Sequence, residues 1–178
     1  ASRLKALLMV KKIKESLKQS FTDEKTIQFL LQKLQKAQLY DGGWSWWDNG
    51  KSNIYITNYV VNALLSLRSN PAVEINIRNG LLYLQNNLSY LKKDEMLTTL
   101  VTMSNANHLI DYTSWIQKIN FDSLTQYQQW LWIKLMQQQK LDYKKQLDSV
   151  LNKAIPGILG SIHWGEENYR WYNDAATT

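Results

Sequence analysis

The 178-residue chain carries 21 lysines and arginines against 15 aspartates and glutamates, a formal charge of +6, and no cysteine. Its length suits one domain, residues 1–178, burying roughly two thirds of its unfolded surface. Disulfides and thiolate metal sites are excluded, and polar residues break every apolar run short of the roughly twenty residues of a bilayer span, so no direct membrane insertion is expected. No basic n-region followed by an apolar h-region opens the sequence.

Helical periodicity dominates, and turn residues separate the apolar runs. The first helix spans about Ser2 to Gln19 with a Leu4, Leu7, Leu8, Ile13, Leu17 stripe. Lys5, Lys11, Lys12, Lys14 and Lys18 fall mostly off that stripe, where a solvated face puts them, and no groove-reading motif accompanies them, so nucleic acid is not an expected partner. A second helix runs from about Thr22, a candidate cap, through Ile27, Leu30, Leu31, Leu34 and Ala37. The third carries Ile54 to Leu67 and is apolar on nearly every side; Pro71 closes it.

A fourth helix places Ile77, Leu81, Leu84, Leu88 and Leu91 on one face, and a short fifth covers about Asp94 to Ser104. The sixth lies near Tyr112 to Lys118. The seventh, about Ser123 to Gln138, is apolar or aromatic around much of its girth, and the eighth extends from about Tyr143 to Ile158, faltering at Pro156. The third, fifth and seventh helices look buried on most sides, whereas the second, fourth and eighth show one stripe. Alternating inner and outer helices predict an all-α fold, an incomplete α/α toroid: a terpenoid cyclase/prenyltransferase-like ring of helical hairpins. The chain starts and stops inside helical patterns, at Ala1-Ser2-Arg3-Leu4 and Ala175-Ala176-Thr177-Thr178, and reads as part of something longer.

Two loops stand out. Gln38-Leu39-Tyr40-Asp41-Gly42-Gly43-Trp44-Ser45-Trp46-Trp47 joins a glycine hinge to three indoles, and Gly160-Ser161-Ile162-His163-Trp164-Gly165-Glu166-Glu167, followed by Tyr169-Arg170-Trp171-Tyr172, is its weaker echo. Both join an outer helix to the next inner one, so in such a ring both belong on one rim. Gln38-x-x-x-Gly42-x-Trp44 has the spacing of a repeat in terpenoid cyclases and other α/α toroids, where glutamine ties off a helix end and tryptophan wedges between hairpins. Gln38, Gly42 and Gly43 are thus candidate ring clamps. No aspartate-rich acid motif accompanies them, so cyclisation is set aside.

The aromatic residues Trp44, Trp46, Trp47, Trp164, Trp171, Tyr169 and Tyr172 also suit a sugar-stacking platform, with Glu166 and Glu167 the plausible carboxylates beside it; neighbours on one loop seldom straddle a glycosidic bond. Only His108 and His163 occur, so no metal and no cofactor is expected. His163 suits an acid, base or acyl acceptor on the aromatic rim, or a hydrogen bond to loop backbone. His108 reads as a turn residue.

Asp41-Gly42-Gly43-Trp44-Ser45-Trp46-Trp47 and Lys51-Ser52-Asn53-Ile54-Tyr55-Ile56-Thr57-Asn58-Tyr59-Val60 resemble the thioester domain of the α2-macroglobulin and complement superfamily, bacterial type. His163-Trp164-Gly165 through Trp171-Tyr172-Asn173 is similar to a later part of those domains. The resemblance covers most of the chain, is fairly specific from 34 to 67, and is weaker between 90 and 150. It implies a Cys-x-Glu-Gln thioester segment immediately upstream of Ala1 and a protease trap rather than an enzyme. Trp44, Trp46, Trp47, His163, Trp164 and Trp171 would belong to the shielding rim. The implied partners are flanking domains of a parent protein and, transiently, proteases, in the periplasm or cell envelope; self-association of the exposed ring edges is a further expectation. The rival is a carbohydrate-binding or carbohydrate-active α/α barrel using the rim tryptophans.

Overall fold

The computed structural model describes residues 1–48, 50–156 and 162–164, with His163 described in its backbone alone. Eight α-helices are found among the described residues: α1 (Ser2–Ser16), α2 (Glu24–Lys36), α3 (Ile54–Leu64), α4 (Pro71–Asn87), α5 (Lys93–Asn105), α6 (Tyr112–Ile116), α7 (Gln126–Gln138) and α8 (Lys144–Leu151). The chain divides into two compact units, Ala1–Leu91 and Lys92–Thr178.

In the first unit α1 packs on α2 and α3, and α3 on α4. The helix starts are set by short polar side chains. Asn53 accepts from the Ile56 N–H at 3.1 Å to open α3, and Asn70 accepts from the Ala72 N–H at 3.0 Å to open α4. Pro71 sits in the first turn of α4, where its missing N–H costs nothing and its fixed φ fits the helix. Ahead of it α3 tightens into a 3-10 turn at Leu65–Leu67.

α3 buries Thr57, Asn58, Val60, Val61, Ala63 and Leu64, more than half its length, and α4 buries Val73, Ile77, Gly80, Leu81 and Leu84 on one stripe. α2 buries only Ile27 and Leu31. The expected stripe of α1 splits: Leu4 is fully buried and Leu7 and Leu8 half-buried, while Ile13 and Leu17 face solvent. At 100° per residue Leu4, Leu7 and Leu8 lie on the α2 and α3 side, and Ile13 and Leu17 fall on the opposite arc.

In the second unit α5 packs along α7, and α7 on α8. α7 opens with a capping box in which the Thr125 hydroxyl accepts from the Gln128 N–H and the Gln128 amide oxygen accepts from the Thr125 N–H at 2.9 Å. α5 buries eight consecutive or near-consecutive positions from Met96 to Ser104. α8 ends at Leu151, earlier than its apolar pattern predicts. Pro156 forces the residue before it towards an extended conformation and could not donate to a helix, and Ile155–Pro156 pairs antiparallel with Ile162–His163.

Three helices end alike. After α1, α5 and α7 the residues Lys18, Asn107 and Lys140 take φ of 55°, 54° and 56°. The next N–H then reaches back into the last turn: Gln19 to the Lys14 carbonyl at 2.8 Å, His108 to Met103 at 2.9 Å, Leu141 to Met136 at 2.9 Å. This is the left-handed cap that glycine usually supplies, built here from two lysines and an asparagine. Lys140→Gly is therefore expected to stabilise the protein by about 0.5–1 kcal/mol, read as a higher urea midpoint with an unchanged m-value.

Candidate functional site

The glycine-tryptophan loop between α2 and α3 is organised around one indole. Trp44 is 2% exposed. Its Nε1–H donates to the Leu34 carbonyl in the last turn of α2 at 2.8 Å, its backbone N–H donates to Thr57 Oγ1 of α3 at 3.0 Å, and its carbonyl accepts from the Asn53 N–H at 2.8 Å. The ring lies against α4 at Gly80, where an added Cβ would come within 2.9 Å of Trp44 Cζ3 and 2.7 Å of Val61 Cγ2. One residue thus touches α2 and α4 through its ring and α3 through its backbone.

Gln38 fixes the loop to α4. Its Nε2 donates to the Gly42 carbonyl at 2.8 Å and to the Asn76 carbonyl at 2.9 Å, while its Oε1 accepts from Asn76 Nδ2 at 2.6 Å. Gly42 has φ +89°, and a Cβ there would fall on the Asn79 carbonyl of α4. Only glycine meets both conditions. The Asp41 carboxylate accepts from the Gly43 N–H at 3.1 Å and from Ser52 Oγ at 2.6 Å, which closes the loop from its outer side. Burial first, and the Asp41 charge second, raise the Tyr83 phenol above its ordinary range beside that carboxylate.

The other two indoles of the loop behave differently. Trp46 is 58% and Trp47 79% exposed, and Trp46 stacks parallel on Tyr55 with centroids 5.7 Å apart. Trp44, Trp46, Tyr55, Ile56, Tyr59 and Val60, with Ala1 and Ser2, line a cavity of about 410 Å³. Tyr59 donates its hydroxyl to Ser2 Oγ at 3.1 Å, tying the start of α1 to α3.

Trp164 belongs to the second unit. Its Nε1–H donates to the Val150 carbonyl of α8 at 2.9 Å, and its ring meets Trp130 of α7 edge-on at 5.5 Å. It therefore repeats the bond of Trp44, an indole N–H returned to the end of the preceding helix. The His163 backbone pairs with Ile155, while its side chain, together with Glu166, Glu167, Tyr169, Arg170, Trp171 and Tyr172, lies outside the described residues.

The C-terminal ends of α5 and α7 lie side by side and are joined by amides. Ser104 Oγ donates to Gln138 Oε1 at 2.7 Å and accepts from Gln139 Nε2 at 2.9 Å, and Gln138 Nε2 donates to Asn105 Oδ1 at 2.9 Å. These residues, with His108 and Tyr112, border a cavity of about 370 Å³. Tyr112 donates its hydroxyl to the His108 carbonyl at 2.8 Å, and burial pushes its phenol up to about 12. Partial burial lowers the His108 imidazole. Among the described residues no group of three His, Asp or Glu side chains could hold a metal ion, and no helix is long and apolar enough to cross a membrane.

Sequence reasoning picks out Gln38, Gly42, Gly43 and Trp44 but not their receptors Leu34, Thr57, Asn76 and Gly80, nor Tyr55 and Tyr59. Gly80 carries a readable signal, since glycine inside a helical pattern marks close approach of a neighbour. Comparison with protein-family models, with curated proteins and with solved structures finds no match.

Trp44→Ala is expected to cost about 3–5 kcal/mol through the cavity left between three helices. Gln38→Ala, which strips a donor from two carbonyls, is expected to cost about 1–3 kcal/mol; urea unfolding followed by circular dichroism ranks the two. Because the folded chain holds His108 below its ordinary 6.5, the unfolded chain binds the proton first, so stability is lost as pH falls through that value. His108→Gln should flatten the fall in urea midpoint between neutral and mildly acidic pH.

Proposed function

We propose that the chain is part of the helical, thioester-presenting domain of a bacterial α2-macroglobulin-like protease trap, folded as an incomplete α/α toroid and without enzymatic activity of its own. The observation that carries the reading is the aromatic cavity beside Ala1, built on the Trp44 wedge and walled by Trp46, Tyr55 and Tyr59. A thioester is a strained electrophile that must be kept from water until triggering, and an apolar, ring-lined recess is the environment that does so. The Gln38–Asn76 and Trp44–Leu34 bonds, and their partial repetition by Trp164, support a hairpin-repeat ring.

In this reading a Cys-x-Glu-Gln segment precedes Ala1 and lies in the recess. Cleavage of a bait region elsewhere in the parent protein uncovers it. A lysine amine of the protease then attacks the glutamine acyl carbon, the carbon–sulfur bond breaks, an amide forms, and the cysteine leaves as a thiolate that takes up a proton. Trp46 and Trp47 help cover the bond; the flanking domains of the parent are its standing partners and the envelope or periplasm its location.

The exposed Trp46–Tyr55 stack favours one alternative, a carbohydrate-binding surface. The chain extended through its upstream reading frame separates the two. The trap predicts that methylamine releases one thiol per chain and becomes covalently fixed to it. Absence of cysteine upstream, together with saturable oligosaccharide quenching of tryptophan fluorescence that Trp46→Ala abolishes, would establish the sugar reading instead.

A further inference from the structure

We propose that the outer face of α1 docks the first unit onto an anionic lipid surface, lying in the headgroup plane without crossing it. The packed side of α1 is supplied by Leu4, Leu7 and Leu8, yet Met9, Ile13 and Leu17 are each more than half exposed and Val10 is also exposed. At 100° per residue Met9, Ile13, Leu17 and Val10 fall within an arc of about 100°, one continuous apolar stripe on the solvent side. Folding of the first unit leaves that stripe uncovered.

Cations border it on both edges. Arg3 and Lys14 follow Val10 around the helix, and Lys5 and Lys12 precede Met9, each within about 60° of the stripe. The first eighteen residues hold Arg3 and five lysines against the single carboxylate of Glu15, which accounts for nearly all of the chain's formal +6. Lys11, on the packed side, is already paired with Glu24. An apolar stripe flanked by long basic side chains fits a surface that is apolar a few ångströms deep and negative above: the stripe enters the acyl boundary while the ammonium groups reach the phosphates.

Other occupants fit less well. A second copy of this chain would set the same lysines against each other along a narrow seam, a like-charge contact that opposes pairing. An acidic protein would satisfy the lysines, but α1 offers a convex ridge rather than a groove. Beside the start of α1 stands the exposed Trp46–Tyr55 pair, ring types that settle at a headgroup boundary. Basic residues near an anionic surface add their attractions, so the flanking cations act together with the stripe.

Co-sedimentation with vesicles of phosphatidylglycerol and phosphatidylethanolamine, against vesicles of phosphatidylcholine alone, tests this with the chain as it stands. The expected result is at least about tenfold stronger partitioning to the anionic vesicles, weakened by high salt and cut about tenfold or more both in Ile13→Asp/Leu17→Asp and in Lys12→Glu/Lys14→Glu. Lys12, Ile13 and Leu17 are exposed and Lys14 is half-buried, and circular dichroism checks that both variants keep the fold. Equal partitioning to both vesicle types, full binding by the Ile13→Asp/Leu17→Asp variant, or a dimer in sedimentation equilibrium that this variant abolishes would each overturn the proposal. Residues 13 and 17 lie about 18 Å or more along the helix from Ala1, so a negative result leaves the methylamine experiment unaffected.

Discussion

Trp44 is the point at which the first unit would come apart. A buried indole contributes more apolar area than any other side chain here, and its N–H must find an acceptor once water is gone. The Leu34 carbonyl is that acceptor because it belongs to the last turn of α2, where helix carbonyls have no intrahelical partner. Two needs, the orphan carbonyl's and the indole's, are met by one bond. Around it the requirements become narrow: Gly80 must lack a side chain for the ring to reach α4, and Gly42 must lack one for the loop to pass the Asn79 carbonyl. Gln38 then fixes the register of α2 and its loop against α4 through Asn76.

The same physics recurs in the second unit at lower intensity. Trp164 returns its indole N–H to Val150 near the end of α8 as Trp44 does to Leu34, but it meets another indole, Trp130, rather than a glycine notch, and stays partly exposed. The helix ends repeat as well. α1, α5 and α7 all close through one left-handed residue and a backbone bond back to the last turn, whereas α3 and α4 run on into 3-10 turns. The same chain-reversal problem is thus met the same way after three of the helices.

Several helices were legible because burial writes a 3.6-residue period: α2 and α4 show it plainly, whereas the Thr22 cap expected for α2 is not made, since Asp23 precedes that helix and no side chain caps it. The ends were less so. A left-handed cap is normally signalled by glycine, and Lys18 and Lys140 give no such signal. The Ile155–Pro156 strand was hidden for another reason. Leu147, Val150, Leu151, Ala154 and Ile158 keep a helical spacing past the point where Pro156 makes the helix untenable, and a pairing with Ile162–His163 is a contact that local periodicity does not encode. α1 shows the converse limit: its leucines and isoleucine fit one stripe only loosely, and nothing local says that Leu4 would be covered and Ile13 left out. At the loop, Gln38, Gly42 and Trp44 could be read from spacing, while Leu34, which offers only a backbone carbonyl, and Asn76, whose amide looks like that of any helical asparagine, could not.

The Trp44-Ser45-Trp46-Trp47 run therefore separates into two physical roles. Trp44 repays its size entirely in burial and one hydrogen bond. Trp46 and Trp47 do not: an exposed indole leaves apolar surface in water and adds little to the stability of the folded state. Trp46 recovers part of that by stacking on Tyr55, which also holds both rings in one orientation over the recess beside Ala1. Rings kept ordered yet open are costly for folding alone and useful for covering or gripping something else. The recess itself depends on the buried ring beneath it, since Trp44 forms part of its wall and fixes the loop that carries Trp46. Stability and surface chemistry are thus coupled through three residues of sequence, so that loosening the wedge would disorganise the recess before it unfolded the helices.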